Sequence, residues 1–188
     1  MSDIDRIRRR EGFAFFAAFA ATVPLANWLI GNVGTFCVPD GPCVIPVGFG
    51  FTAPSGVLAI GVALVLRDLV QRRLGVWWAL VAIFVGAALS ATFAPKALVI
   101  ASTVAFLLSE LADLTVYTPL QKRRLMLAVL ASGAVGLVID SIVFLWLAFG
   151  SLDFLAGQVL GKSWALLAAI PLIYLLRRRD NAKGLVPA

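Results

Sequence analysis

The chain alternates long apolar stretches with short segments rich in charge or in Gly and Pro. The stretches run from Phe13 to Ile30, Ala53 to Val70, Val76 to Phe93, Ala97 to Tyr117, Leu125 to Phe149 and Leu155 to Leu176. Each is close to the roughly 20 residues that carry a helix across a bilayer's hydrocarbon core. No water there can satisfy backbone N–H and C=O groups, so a spanning segment is a helix or a strand of a closed barrel. Barrel strands alternate polar and apolar residues, and these runs do not. The pattern predicts an all-α, polytopic membrane protein with six transmembrane helices.

Composition agrees: 61% of the 188 residues are hydrophobic and the mean hydropathy is +0.98, against roughly 45–50% apolar residues in soluble domains. Charge then orients the helices. Of the 16 Lys and Arg residues, all but Lys96 and Lys162 fall in four groups: Arg6 to Arg10, Arg67 to Arg73, Lys122 to Arg124, and Arg177 to Lys183. These groups mark alternate ends of the spans. By the positive-inside rule that side is cytoplasmic, which places both termini inside and requires an even number of spans. The pI of about 10.0 therefore reports topology; no aromatic stacking residues are interleaved with the basic runs, as nucleic-acid binding would require. The basic N-terminus leads into a run of full spanning length without a polar cleavage region, so helix 1 is expected to remain as an anchor. A single domain, 1–188, is expected in the bacterial inner membrane. It has a cytoplasmic segment 1–11, an external loop 31–54 and a cytoplasmic tail 177–188 that frays after Arg179.

The loop from Gly31 to Pro54 holds an apolar run, Val44 to Phe51. That run either re-enters the membrane as a lid over a site or forms a structured external loop. Cys37 and Cys43 flank a Pro39-Asp40-Gly41 turn, so on an oxidising external side they are either a disulfide or two small buried thiols. The chain contains no His, which removes His-based metal centres, a His general base and the Ser-His dyad of a membrane protease. It contains no Walker A motif either, so any ATP-driven pump would need a partner subunit. No enzyme reading finds a nucleophile or a metal cluster to rest on.

Ionisable residues within spans are expensive and are functional candidates by default. Ser102, Phe106, Glu110, Asp113 and Tyr117 share one face of helix 4, and Ser132, Gly136, Asp140 and Phe144 share one face of helix 5, with Ser141 beside it. Asn27 adds an amide from helix 1, and Gln158 and Lys162 an amide and a cation from helix 6. Gly157 and Gly161 form a small-xxx-small pair suited to close packing. Each has a plain structural alternative. Glu110, Asp113 and Asp140 could be buried ion pairs with Arg67 or Lys162, Asn27 could be interhelical glue, and Lys162 could snorkel. Arg67 and Asp68 could lie solvated beyond the membrane or be buried at the inner end of helix 2.

Several runs together resemble the queuosine precursor transporter family, also called the vitamin uptake transporter (VUT) family. They are Thr52-Ala53-Pro54-Ser55-Gly56-Val57-Leu58, Leu66-Arg67-Asp68-Leu69-Val70-Gln71, Ala105 to Asp113, Val116-Tyr117-Thr118-Pro119-Leu120, Asp140-Ser141, Leu147 to Leu152, and Gln158 with Gly161-Lys162. Two departures stand out: Gly133 follows Ser132 where the family pattern has Asn, and the loop carries the Cys37 to Cys43 insertion. The resemblance implies a six-helix carrier that imports 7-cyano-7-deazaguanine or 7-aminomethyl-7-deazaguanine without an ATPase of its own. A vitamin-binding subunit that needs a separate ATP-driven module shares this size and topology and is the alternative.

A guanine-like edge offers an N1 hydrogen beside an exocyclic amine, which one carboxylate accepts as a pair. Glu110 or Asp140 suits that role, with Phe106, Phe144 or Tyr117 over the ring. The candidate substrate-binding set is Asn27, Arg67, Asp68, Gln71, Phe106, Glu110, Asp113, Tyr117, Asp140, Ser141, Gln158 and Lys162, with no catalytic or metal residue. The expected partners are a small deazapurine and the lipid bilayer, not nucleic acid; homo-oligomerisation is left open. For a ligand that is neutral near pH 7, facilitated entry with trapping is the favoured reading, with proton coupling through the membrane carboxylates as its rival.

Overall fold

The computed structural model describes residues 3–37 and 41–185. The described residues form six α-helices and one small sheet: α1 (Asp3–Asn32), β1 (Phe36–Cys37), β2 (Cys43–Gly48), β3 (Phe51–Pro54), α2 (Val57–Leu74), α3 (Val76–Phe93), α4 (Val99–Leu120), α5 (Leu125–Phe149) and α6 (Leu155–Lys183). A 3-10 turn, Lys96–Leu98, precedes α4. The bounds of α3 and α5 coincide with the apolar runs. Helix α2 begins four residues later than its run because Ala53 and Pro54 are taken by strand pairing with Ile45 and Val44.

The helical class expected from the sequence holds, and the loop between α1 and α2 adds a small antiparallel sheet of order β1-β2-β3. One expectation is corrected. The C-terminal segment does not fray after Arg179, because α6 continues to Lys183 around a fully buried Asp180. The Cys37 and Cys43 thiols are joined as a disulfide across β1 and β2; Pro39 and Asp40 of the intervening turn lie outside the described residues.

Among the described residues five helices are long and apolar enough to cross a membrane; α2 falls short of that measure. The reason is its C-terminal half, where Arg67, Asp68, Arg72 and Arg73 interrupt the apolar sequence. These charges do not face lipid, because α2 packs against all five other helices and every residue from Arg67 to Arg73 is buried. Large apolar side chains such as Trp77, Phe84, Ile100, Trp146 and Leu175 point outward instead, as expected of a bundle whose solvent is lipid. The result is a multi-pass membrane bundle with a polar helix at its centre.

The sheet sits on one end of the bundle. Val47 and Ala53 pack with Val57 of α2, and Trp164 of α6 donates its indole N–H to the Val47 carbonyl at 2.8 Å. Close approach of α6 explains its glycines. A Cβ on Gly157 would collide with the Thr52 carbonyl oxygen of β3, and one on Gly161 would stand 2.7 Å from Val57 Cγ2. The small-xxx-small pair thus serves strand-on-helix as well as helix-on-helix packing.

Candidate functional site

The polar residues of the bundle are stacked in three tiers along its axis. The first, beside the sheet, borders a cavity of about 500 Å³, mouth included. All six helices contribute to its wall, among them Asn27 of α1, Ser90 of α3, Ser102 and Phe106 of α4, Asp140 and Phe144 of α5, and Gln158 and Lys162 of α6. Four-residue spacing brings Asp140 and Phe144 to one face of α5, and the same spacing brings Gln158 and Lys162 to one face of α6.

Lys162 is the hub of this tier. Its ammonium donates to Asp140 Oδ2 at 2.6 Å, Gln158 Oε1 at 2.6 Å and Ser141 Oγ at 2.8 Å. Those three bonds use all three of its protons, so Lys162 neither snorkels nor keeps a free donor for a ligand. Asp140 gives the cation only one of its oxygens, and as a wall residue it is left with an acceptor on the cavity side. Asn27 donates its amide to the Val23 carbonyl at 2.9 Å, which fixes it against its own helix at the cavity wall. Phe106 lies over Gly86 of α3, where a Cβ would clash with the ring, and its ring centroid is 6.0 Å from that of Phe19. The site therefore pairs apolar walls with few convergent polar groups, the usual composition of a small-molecule pocket.

The second tier is a buried charge cluster centred on Arg67 of α2. Arg67 Nε donates to Glu110 Oε2 at 3.0 Å and Nη1 to Gln71 Oε1 at 3.1 Å, while Nη2 binds Asp113 Oδ1. Asp68 Oδ1 is 3.0 Å from Nη1, and the Tyr117 ring lies 5.7 Å from the guanidinium carbon. Ser132 of α5 donates to Asp68 Oδ2 at 3.1 Å, and Gln71 donates onward to Thr118 at 2.9 Å. Arg67, Asp68, Gln71, Glu110, Asp113 and Tyr117 are all at most 1% exposed.

The third tier closes the opposite end. Arg72 and Arg73 of α2 both bind Asp180 of α6, and Glu11 of α1 accepts from Arg73 at 2.9 Å and from Arg179 at 2.6 Å. These groups lie past Leu176, beyond the apolar run of α6.

Of the predicted set, then, Asn27, Phe106, Asp140, Gln158 and Lys162 meet at the cavity, with Ser141 bound to Lys162 behind it. Arg67, Asp68, Gln71, Glu110, Asp113 and Tyr117 are gathered together but stand away from the cavity wall, as a separate network. Arg72 and Arg73, counted from sequence among the cytoplasmic flanking charges, are interior. Sequence reasoning missed Ser90 and Asp180. The signals were there: Ser90 follows Ile83 and Gly86 at helical spacing on the buried face of α3, and Asp180 is an acidic residue set directly after three arginines.

The helical membrane bundle thus surrounds a cavity with a carboxylate and aromatic side chains in its wall. The family model described as "Putative vitamin uptake transporter" matches residues 87–176, from the later half of α3 through most of α6 and just under half of the chain. This match supports the resemblance to the vitamin uptake transporter family read from the sequence. No curated protein and no solved structure matches it.

Proposed function

We propose that this protein imports a 7-deazaguanine precursor of queuosine, 7-cyano-7-deazaguanine or 7-aminomethyl-7-deazaguanine, across the bacterial inner membrane as a secondary carrier. In this reading six helices span the bilayer, α2 being carried across inside the bundle, and both termini are cytoplasmic. The sheet and the cavity mouth then face outward, and the third tier faces the cytoplasm.

The observation that carries the substrate assignment is the pairing of Asp140 with Phe106 and Phe144 around one cavity. A carboxylate that keeps an oxygen for the cavity accepts the N1 hydrogen and exocyclic amine of a guanine-like edge, and the phenylalanines cover the flat ring. Glu110, the other carboxylate suited to that role, is bound by Arg67 and lies outside the wall. Uptake of labelled 7-cyano-7-deazaguanine by queuosine-auxotrophic cells expressing the protein tests the assignment. Uptake of a different vitamin in its place would refute it. Repeating the assay in cells lacking any ATP-driven vitamin module separates a self-sufficient carrier from a binding subunit.

A further inference from the structure

We propose that Asp68 and Asp113 share one proton inside the bundle and together form a proton-binding site. The geometry rests on Arg67. Asp68 Oδ1 lies 3.0 Å from its Nη1 and Asp113 Oδ1 takes the adjacent Nη2. One planar fork therefore sets the two carboxyls side by side, within hydrogen-bonding reach of each other.

The hydrogen bonds around them leave two carboxyl oxygens unmatched. Arg67 Nε serves Glu110 and Nη1 serves Gln71, while Ser132 gives its hydrogen to Asp68 Oδ2. Asp68 Oδ1, although ion-paired with Nη1, and Asp113 Oδ2 are buried without a hydrogen bond. An ionised carboxylate only accepts, so two of them cannot bond to each other unless one carries a proton. A single bound proton supplies the missing O–H and relieves the repulsion of two like charges held in contact.

Charge leads to the same place. Asp68, Glu110 and Asp113 face one guanidinium, and each is at most 2% exposed. Lys162 is paired with Asp140, and Arg72 shares Asp180 with Arg73; among the described residues the cation ion-paired with these three carboxylates is Arg67. From α4 the pair also meets Glu110 and the unpartnered hydroxyl of Tyr117, and from α5 the hydroxyl of Ser132. The side chains that α6 packs here, Leu166, Ala169 and Ile173, are apolar, as are Phe19 and Val23 of α1 and Ala79, Ala82 and Ile83 of α3 on the other side of α2. Ionising all three carboxylates would leave an uncompensated charge excess in a medium that does not tolerate one.

The position suits coupling to the cavity. Phe106 of the cavity wall and Asp113 lie on the same face of α4, separated by about 10 Å along its axis, with Glu110 between them. Coupling of this proton to import rests on the transport reading above; its binding does not.

Infrared spectroscopy of the purified protein in liposomes near pH 7 tests the site. The expected spectrum has a protonated-carboxyl band that ¹³C-aspartate labelling shifts and ¹³C-glutamate labelling leaves in place. Asp113→Asn and Asp68→Asn should each remove it, and Glu110→Gln should keep it. The labelling needs no variant, so a substitution that prevents folding does not spare the proposal. Absence of the band, its shift with glutamate labelling, or its survival in both Asp variants overturns the proposal. Binding of 7-cyano-7-deazaguanine, measured on the same sample, reports on the transport reading independently. Binding without the band removes the proton site alone, and the band without binding removes the substrate alone.

Discussion

Arg73 holds Asp180 with both prongs of its guanidinium, Nη1 to Oδ2 at 2.9 Å and Nη2 to Oδ1 at 2.7 Å. The contact ties the last turn of α2 to the last turns of α6, and Arg72 adds two bonds to Oδ2, at 3.0 and 2.9 Å. Because Asp180 and Arg73 are at most 1% exposed, removing the carboxylate strands buried cations. Asp180→Ala should destabilise the protein by about 3–5 kcal/mol, read as a lower Tm in detergent. An unchanged Tm would mean that water, not Asp180, satisfies these arginines.

The same carboxyl gives a pH dependence. Burial pushes Asp180 up, but the hydrogen bonds from Arg73, followed by those from Arg72, outweigh it and hold the carboxyl below its ordinary range. A depressed value in the folded state means that the stabilisation is complete above the unfolded value, about 3.9, and is lost as pH falls through the folded one. The Tm difference between wild type and Asp180→Asn should therefore be flat from about pH 8 to about pH 5 and shrink only in stronger acid. A difference that vanishes near neutral pH would contradict this.

How far the sequence could be read follows from what each residue needs. Lipid imposes runs of apolar residues with sharp ends, so Val76–Phe93 and Leu125–Phe149 were legible to the residue. The faces of α4 and α5 were legible too, because a buried polar stripe at helical spacing has no other explanation in a bilayer. Helix α2 was less so. Its charges look like the solvated end of a span until Glu110, Asp113 and Asp180, 43 to 108 residues away, arrive to pair with them. The division of the carboxylates was also hidden. Glu110 and Asp140 are equivalent as sequence features, and only packing places one against Arg67 and the other against Lys162 at the cavity. The sheet escaped because its strands are short and interrupted by Pro and Gly, composition that reads as loop.

Asp140→Asn should abolish uptake with the protein still in the membrane; because the change also takes the carboxylate from buried Lys162, loss of the protein from the membrane would instead make Asp140 a structural ion-pair partner. The amide keeps the shape of the carboxylate but can turn a donor toward the ligand's own donors, and loss of two charge-assisted bonds should weaken binding by about 100-fold or more. Glu110→Gln, outside the cavity wall, should weaken binding much less. Equal binding by Asp140→Asn and wild type in a ligand-binding titration would remove Asp140 from the site.

Gly157→Ala tests the seat of the sheet. Its new methyl would occupy the place of the Thr52 carbonyl oxygen, so α6 or β3 must withdraw from the other. Overpacking of this kind should destabilise by about 1–3 kcal/mol and expose residues 43–54 to protease added from the external side. Unaltered Tm and protection would show that the two elements are not in contact in the membrane.

Topology is open to reporter fusions. Fusions after Arg124 and at Lys183 should report the cytoplasm, and a fusion near Asp153 should report the external side, since the basic clusters flank the former positions. An external signal at Lys183 would defeat the even number of spans, and with it the outward orientation of the cavity.

The energetics of import can be settled in liposomes, where nothing metabolises the substrate. A ligand neutral near pH 7 gains nothing from the membrane potential, so accumulation above the external concentration requires a co-transported ion. Trapping after entry, favoured on sequence grounds, cannot operate in this setting. With a proton held between Asp68 and Asp113, an inward proton gradient should drive such accumulation, and a protonophore should abolish it. Asp113→Asn should then equilibrate the substrate without accumulating it. The amide itself supplies the N–H that bridges to Asp68, which fixes the pair permanently in its bridged state and removes the site from the proton cycle. Two results would break this chain of reasoning in different places. Equilibration by the wild type, indifferent to the gradient, would make the protein a facilitator, with the shared proton serving only to stabilise the bundle. Gradient-driven accumulation that persists in Asp113→Asn would keep proton coupling but move it to another carboxyl, with Glu110, held by a hydrogen bond from Arg67 Nε, the next to substitute.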